Sequence, residues 1–165
     1  RQRVYFVSKS EVARWPGIGW LAQATGTVFI DRDPNKAAAQ KTLFQSRIAA
    51  GHRLLFFPEG TSSDGLRVLP FKSTLFAAFF DEALRYHASI QPVTLHYTAP
   101  QGQDARFFGW WGDMDFGSHF LRVVAAGAGG QVGLTYHPPL SIREETNRKT
   151  LATATELIIR QGLKG

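Results

Sequence analysis

The sequence predicts an α/β fold: one domain over residues 1–165, with a mixed, largely parallel sheet of about five or more strands flanked by helices. Two observations carry this. Short apolar runs alternate with segments that open on helix-capping residues, the pattern of a sheet with helices on its faces. The 165 residues, 44% hydrophobic and 19% charged, suffice for one sizeable core and are too few for two. The same composition excludes disorder and coiled coil. No apolar run reaches the roughly 18 residues that span a bilayer, and no charged segment followed by an apolar one opens the chain.

Val4-Tyr5-Phe6-Val7 reads as a buried strand. Ser8 as N-cap, with Glu11 three residues on, forms a capping box for a short helix that Trp15-Pro16-Gly17 ends. A second short helix through Gly19 to Ala24 leads to strand Thr27-Val28-Phe29-Ile30. Asp33 as N-cap and Pro34 at the first helical position start a longer helix ending near Gly51. Arg53 to Phe57 is a third strand, stopped by Pro58, and Glu59 to Pro70 has the Gly, Thr, Ser and Asp content of a loop. From Ser73, the spacing of Leu75, Phe76, Phe79, Phe80, Ala83 and Leu84 predicts an amphipathic helix. Val93 to Tyr97 is a fourth strand, Gly117 to Ala126 a helix, and Val132 to His137 a fifth strand ended by Pro138-Pro139. Ser141 with Glu144 makes a second capping box, opening a final helix to about Gly162. Arg1 opens the chain three residues before a core strand, and the only methionine is Met114. A domain incomplete at its N-terminus is therefore expected.

The net charge of +6 is uneven: residues 1–85 carry twelve basic and seven acidic groups, residues 86–165 seven and six. Thirteen of the nineteen cations are Arg, whose planar fork suits bidentate binding of phosphate or carboxylate. Anionic partners follow, whether nucleic acid or membrane phosphate. With no cysteine, the chain has no disulfide, thiol nucleophile or cysteine-ligated metal.

Ligands of open α/β sheets bind beyond the carboxyl ends of the strands. Those ends are Ser8-Lys9, Asp31-Arg32 and Pro58-Glu59-Gly60-Thr61-Ser62-Ser63, two cations, two carboxylates and a hydroxyl-rich loop. Singly, a charged residue such as Lys9 after a strand is usually just solvated; the cluster is the signal. Gly60 to Gly65 is not a nucleophile elbow, because the closing glycine comes one residue late. It is not a phosphate loop either, because Leu66 stands where lysine belongs. Asp113, Asp115 and His119 suggest no metal site, since an acid-rich helix N-terminus explains them.

Three blocks instead carry a resemblance: Gly26-Thr27-Val28-Phe29-Ile30-Asp31-Arg32, Phe57-Pro58-Glu59-Gly60-Thr61, and Gln91-Pro92-Val93. In order and spacing they resemble the glycerolipid acyltransferases typified by lysophosphatidic acid acyltransferase. Lys9-Ser10-Glu11, Trp15-Pro16-Gly17-Ile18-Gly19-Trp20 and Pro70-Phe71-Lys72 are similar to secondary features of that family. The family's first block, H-x-x-x-x-D, is absent, since none of the five histidines has aspartate at that spacing. No catalytic residue is therefore identifiable, and the chain alone is expected to be inactive.

The resemblance implies a glycerol-3-phosphate acyltransferase-like fold and transfer of a fatty acyl group from acyl-CoA or acyl carrier protein to a lysolipid hydroxyl. Lysophosphatidic acid, giving phosphatidic acid, is the first expected acceptor. A lyso-ornithine lipid, an inactive lipid-binding relative and a nucleic-acid-binding module are the alternatives. The last lacks any fingerprint, so no nucleic-acid partner is expected. No bound cofactor or metal is implied. Acceptor binding would fall to Ile30, Asp31, Arg32, Glu59, Gly60 and Thr61, with Arg32 on the phosphate and Glu59 accepting from a hydroxyl; Lys9 and Lys72 are further phosphate contacts. The alternative for Glu59 is to order its own loop. Relatives commonly place Arg after F-P-E-G-T, where this chain has Ser62. Amphiphilic substrates imply work at the cytoplasmic face of the membrane, peripherally or through a preceding anchor. Phe107, Phe108, Trp110 and Trp111 beside Arg106 suit a bilayer interface, or else a core cluster under a long loop.

Overall fold

In the computed structural model the described residues are 3–31, 35, 37–127 and 129–164. They form two compact units, Arg1–Phe57 with Ala77–Ala88, and Pro58–Phe76 with Ser89–Gly165.

The first unit is built on a parallel sheet of three strands, β1 (Val4–Lys9), β2 (Val28–Ile30) and β3 (Arg53–Leu55), in the order β2-β1-β3. The first half of β1 pairs with β3, Val4 opposite Arg53, and its second half with β2, Lys9 opposite Ile30. Parallel neighbours need crossovers; α1 (Ile18–Ala24) and α2 (Ala37–Ala49) provide them. Gly51, at φ +76°, closes α2, and the His52 N–H reaches back to the Arg47 carbonyl at 3.0 Å, a Schellman ending. The Tyr5 ring packs on Gly26, lies 4.7 Å from the His52 ring and has the Arg47 guanidinium 5.3 Å from its centroid. The proposed Asp33 and Pro34 helix start lies outside the described residues.

The expected Ser8 capping box does not form. Ser8 pairs with Phe29 in the β1–β2 ladder, and a short 3-10 segment, Ser10–Arg14, starts after Lys9 without a side-chain cap. Strand pairing outcompetes the local cap because it satisfies the backbone of Ser8 and Lys9 together. The helix expected from Ser73 is likewise divided, into a 3-10 segment Ser73–Phe80 and α3 (Glu82–Arg85). Three residues per turn bring i and i+3 to one side, which suits buried Phe76 and Phe79. The Asp81 carbonyl then accepts from both Leu84 and Arg85 as α3 begins.

The second unit holds two antiparallel pairs, β4 (Ser89–Ile90) with β7 (Leu140–Ser141), and β5 (Val93–Thr98) with β6 (Gln131–Tyr136). It also contains α4 (Phe116–Ala125) and α5 (Arg148–Lys164). The mixed α/β class thus stands, but the expected single sheet of five or more strands does not: among the described residues three strands form a parallel sheet and the other four lie in two separate antiparallel pairs. Ser141 does not cap the last helix, because it is paired in β7 opposite Ser89. Asn147 caps it instead: its Oδ1 accepts from Lys149 and Thr150 N–H, and Thr150 Oγ1 accepts from the Asn147 N–H. This is a capping box with threonine in the glutamate place. Helix α5 packs on β5 through buried Thr94, whose hydroxyl donates to the Ile159 carbonyl at 3.4 Å and sits 2.8 Å from His137 Nε2. Gly162 permits this approach, since a Cβ there would lie 2.6 Å from Thr94 Oγ1.

Candidate active site

All three parallel strands end at one edge of the first unit's sheet, and the register sets Lys9 opposite Ile30, with Asp31 next in the chain. The structure therefore brings Lys9, Ile30 and Asp31 together as the strand ends suggested. Arg32 lies outside the described residues.

In the second unit the Pro58 carbonyl accepts from the Lys72 N–H at 2.8 Å, closing the 58–72 loop. Gly60 has φ +66°, a conformation that L side chains rarely adopt. The Lys72 side chain runs along it: a Cβ on Gly60 would lie 3.0 Å from Lys72 Cδ and 3.1 Å from Nζ. A side chain there would strain the backbone and push Lys72 aside by a few tenths of an ångström. Glu59 Oε2 accepts from the Leu69 N–H at 2.8 Å. The loop-ordering role weighed for Glu59 is thus present, yet a carboxylate has about four lone-pair sites, so one such bond leaves capacity for a substrate hydroxyl. Thr61 and Ser62 are exposed. Beyond them Ser63 Oγ accepts from Gly65, Asp64 Oδ1 accepts from Leu66, and Asp64 pairs with Arg67 at 3.5 Å. Gly109 abuts the Asp64 carbonyl, where a Cβ would come within 2.5 Å.

Sequence reasoning missed Glu156 and Arg160 on α5. Glu156 Oε2 accepts from the Phe71 N–H at 2.8 Å, and Arg160 Nε donates to Glu156 Oε1 at 2.8 Å. The available signal was an i, i+4 acid–base pair on the last helix, which by itself reads as surface decoration.

Burial pushes the Glu59 carboxyl above the ordinary glutamate range, against the Leu69 N–H and the Arg160 charge, which favour its ionised form; the Glu156 charge adds to the rise. A raised folded pKa means that the fold prefers the protonated acid. Relative to Glu59→Gln, which does not titrate, the natural chain should gain stability as pH falls from above this raised value to below the ordinary one. Paired thermal melts of the two chains at several pH values check this. A constant difference in melting temperature across that window contradicts it.

The aromatic run divides. Phe107 is buried, at 6% exposure, with the Arg122 guanidinium 5.6 Å from its centroid, so it is a core residue and not a membrane-facing one. Its neighbour Phe108 is partly exposed and edge-on to it at 5.1 Å. Trp110 and Trp111 are also partly exposed; Trp110 Nε1 donates to the Met114 carbonyl at 2.7 Å, and Arg106 lies 5.8 Å from the Trp111 centroid. Asp115 caps α4 by accepting from the Ser118 N–H, as its place at a helix N-terminus suggested. Among the described residues no three His, Asp or Glu side chains converge as metal ligands.

The family described as Acyltransferase matches residues 1–96, a span that contains all three motif blocks. A lyso-ornithine lipid O-acyltransferase of Rhodobacter capsulatus is 57% identical over 162 residues, covering 98% of this chain and 59% of that protein. A 1-acyl-sn-glycerol-3-phosphate acyltransferase of Neisseria gonorrhoeae is 36% identical over 104 residues, 59% of this chain and 37% of that protein. The crystal structure of the 1-acyl-sn-glycerophosphate (LPA) acyltransferase PlsC from Thermotoga maritima has the same fold. It aligns with TM-score 0.59 and 20% identity over 98% of this chain and 56% of that one. The chain thus spans between about a third and three fifths of the length of these relatives. With more than half of its residues matched to the family and its motif blocks in order along the chain, it belongs to the glycerolipid acyltransferases of the Acyltransferase family.

Proposed function

We propose that the whole protein moves a fatty acyl group from a thioester, on coenzyme A or acyl carrier protein, to the free hydroxyl of a lyso-ornithine lipid. The observation that carries the acceptor is the 57% identity, across 98% of this chain, to a relative named for that lysolipid. The local chemistry agrees. Ornithine presents one carboxylate and an ammonium, whereas a phosphate monoester carries close to two negative charges at neutral pH. Lys72 lies along Gly60, while the residue after F-P-E-G-T, where relatives commonly carry a further cation, is uncharged Ser62.

In this reading Arg32 and Lys72 serve the headgroup carboxylate, and Gly60 and Thr61 let the acceptor approach the backbone. Glu59 accepts a hydrogen bond from the lysolipid. The lysolipid hydroxyl attacks the thioester carbonyl as its proton goes to the histidine of the family's H-x-x-x-x-D block, whose paired aspartate fixes its tautomer; the carbon–sulfur bond then breaks and the thiol leaves carrying that proton. The lysolipid and its product are amphiphiles and the thioester donors are cytoplasmic, so the reaction belongs at the cytoplasmic face of the membrane. Among the described residues no helix is long and apolar enough to cross it. Lysophosphatidate is the second reading, favoured by the motif blocks held in common.

Purified whole protein in detergent micelles, given lyso-ornithine lipid with acyl-CoA or acyl carrier protein thioester, should yield the acylated lipid by mass spectrometry. Failure to acylate any lysolipid with either donor overturns the reading.

A further inference from the structure

The backbone donors of Leu69 to Lys72 can be followed one by one. Leu69 donates to Glu59, Pro70 has no N–H, Phe71 donates to Glu156, and Lys72 donates to the Pro58 carbonyl. Four residues are thus splinted by two carboxylates and one carbonyl, and the last of the four carries the side chain that lies along Gly60. One of those carboxylates, Glu59, belongs to the motif; the other comes from α5, 85 residues beyond Phe71.

Two carboxylates serving N–H groups two residues apart repel each other unless a cation joins them. Arg160, one turn beyond Glu156, is that cation: it donates to Glu156, and its charge favours the ionised form of Glu59. Among the described residues, the charges that act on Glu59 are those of Arg160 and Glu156 from α5, with Lys72 beside the adjoining Gly60. The helix itself is held against β5 by the Thr94 bond to Ile159 and the close contact at Gly162.

We propose that Glu156 and Arg160 are positioning residues for acceptor binding. Glu156 fixes the segment that presents Lys72, and Arg160, bonded to Glu156, is the counter-charge for the two carboxylates that splint it. The role in acceptor binding rests on the function proposed above; the role of Arg160 as counter-charge does not.

Two measurements separate them. In the 165-residue chain, NMR titration of the Glu59 side-chain carboxyl should move to higher pH in Arg160→Gln and return toward the natural midpoint in Arg160→Lys, which restores the charge. In the whole protein, Arg160→Gln should raise the lysolipid KM about ten-fold, leave the thioester KM unchanged, and hold kcat within about two-fold. A merely structural residue would lower the melting temperature and the active fraction without moving the Glu59 midpoint. An unmoved midpoint together with an unchanged lysolipid KM overturns the proposal while acyl transfer stands. If the whole protein acylates no lysolipid, the proposed function falls, and the titration still decides whether Arg160 is the counter-charge.

Discussion

The 165-residue chain alone is expected to transfer acyl groups about 100- to 10,000-fold more slowly than the whole natural protein, the usual worth of general-base assistance. The chain holds no histidine with aspartate at the family spacing. Its own histidines are poor substitutes. His137 is bonded to buried Thr94, buried His119 has its Nδ1 3.3 Å from an Arg122 nitrogen, and His52 stacks beside Tyr5. Thiol release from the acyl thioester, followed side by side for the chain and the whole protein, measures the difference. Comparable rates would place the base on one of the five histidines present, with His87 and His96 the ones to mutate first.

Arg32→Ala in the whole protein should raise the apparent KM of the lysolipid about ten- to a hundred-fold, the cost of a charge-assisted contact of about 1.5 to 3 kcal/mol. The apparent KM of the thioester should barely change, because the proposed function gives Arg32 the lysolipid headgroup and no part in holding the acyl donor. Initial rates over a grid of both substrate concentrations separate the two constants. An unchanged lysolipid KM removes Arg32 from the acceptor site. A fall in melting temperature with that KM unchanged would make it a structural ion-pair residue, with Asp31 or Asp33 as its partner.

The parts of the site legible in the sequence were those written linearly. Strand ends are legible because a parallel sheet turns them all to one edge, so Lys9, Ile30 and Asp31 could be grouped before their register was known. Gly60 was singled out through the motif for approach of the acceptor; the structure shows a different use of the glycine, a positive φ with the Lys72 side chain along it. Glu156 and Arg160 were not legible, because Phe71, which donates to Glu156, is 85 residues away, and no local pattern distinguishes the Glu156–Arg160 pair from any exposed helix pair. Both misplaced caps share one cause. Ser8 and Ser141 carry the right local signal, but each is taken up in strand pairing, a non-local interaction that outranks a side-chain cap. The Phe-rich segment after Ser73 has spacing that fits either helix type, so hydrophobic pattern could not decide between them. Strand pairing beyond the three parallel strands was equally hidden, since apolar runs reveal strands and not their partners.

We propose that the whole protein works on a lyso-ornithine lipid in preference to lysophosphatidate. A competition in one vessel tests it most directly: equimolar lyso-ornithine lipid and lysophosphatidate, limiting acyl thioester, the whole protein, and mass-resolved products, repeated with Ser62→Arg. The acylated ornithine lipid should dominate with the natural protein, and Ser62→Arg should shift product toward phosphatidic acid. Predominant phosphatidic acid from the natural protein would contradict it.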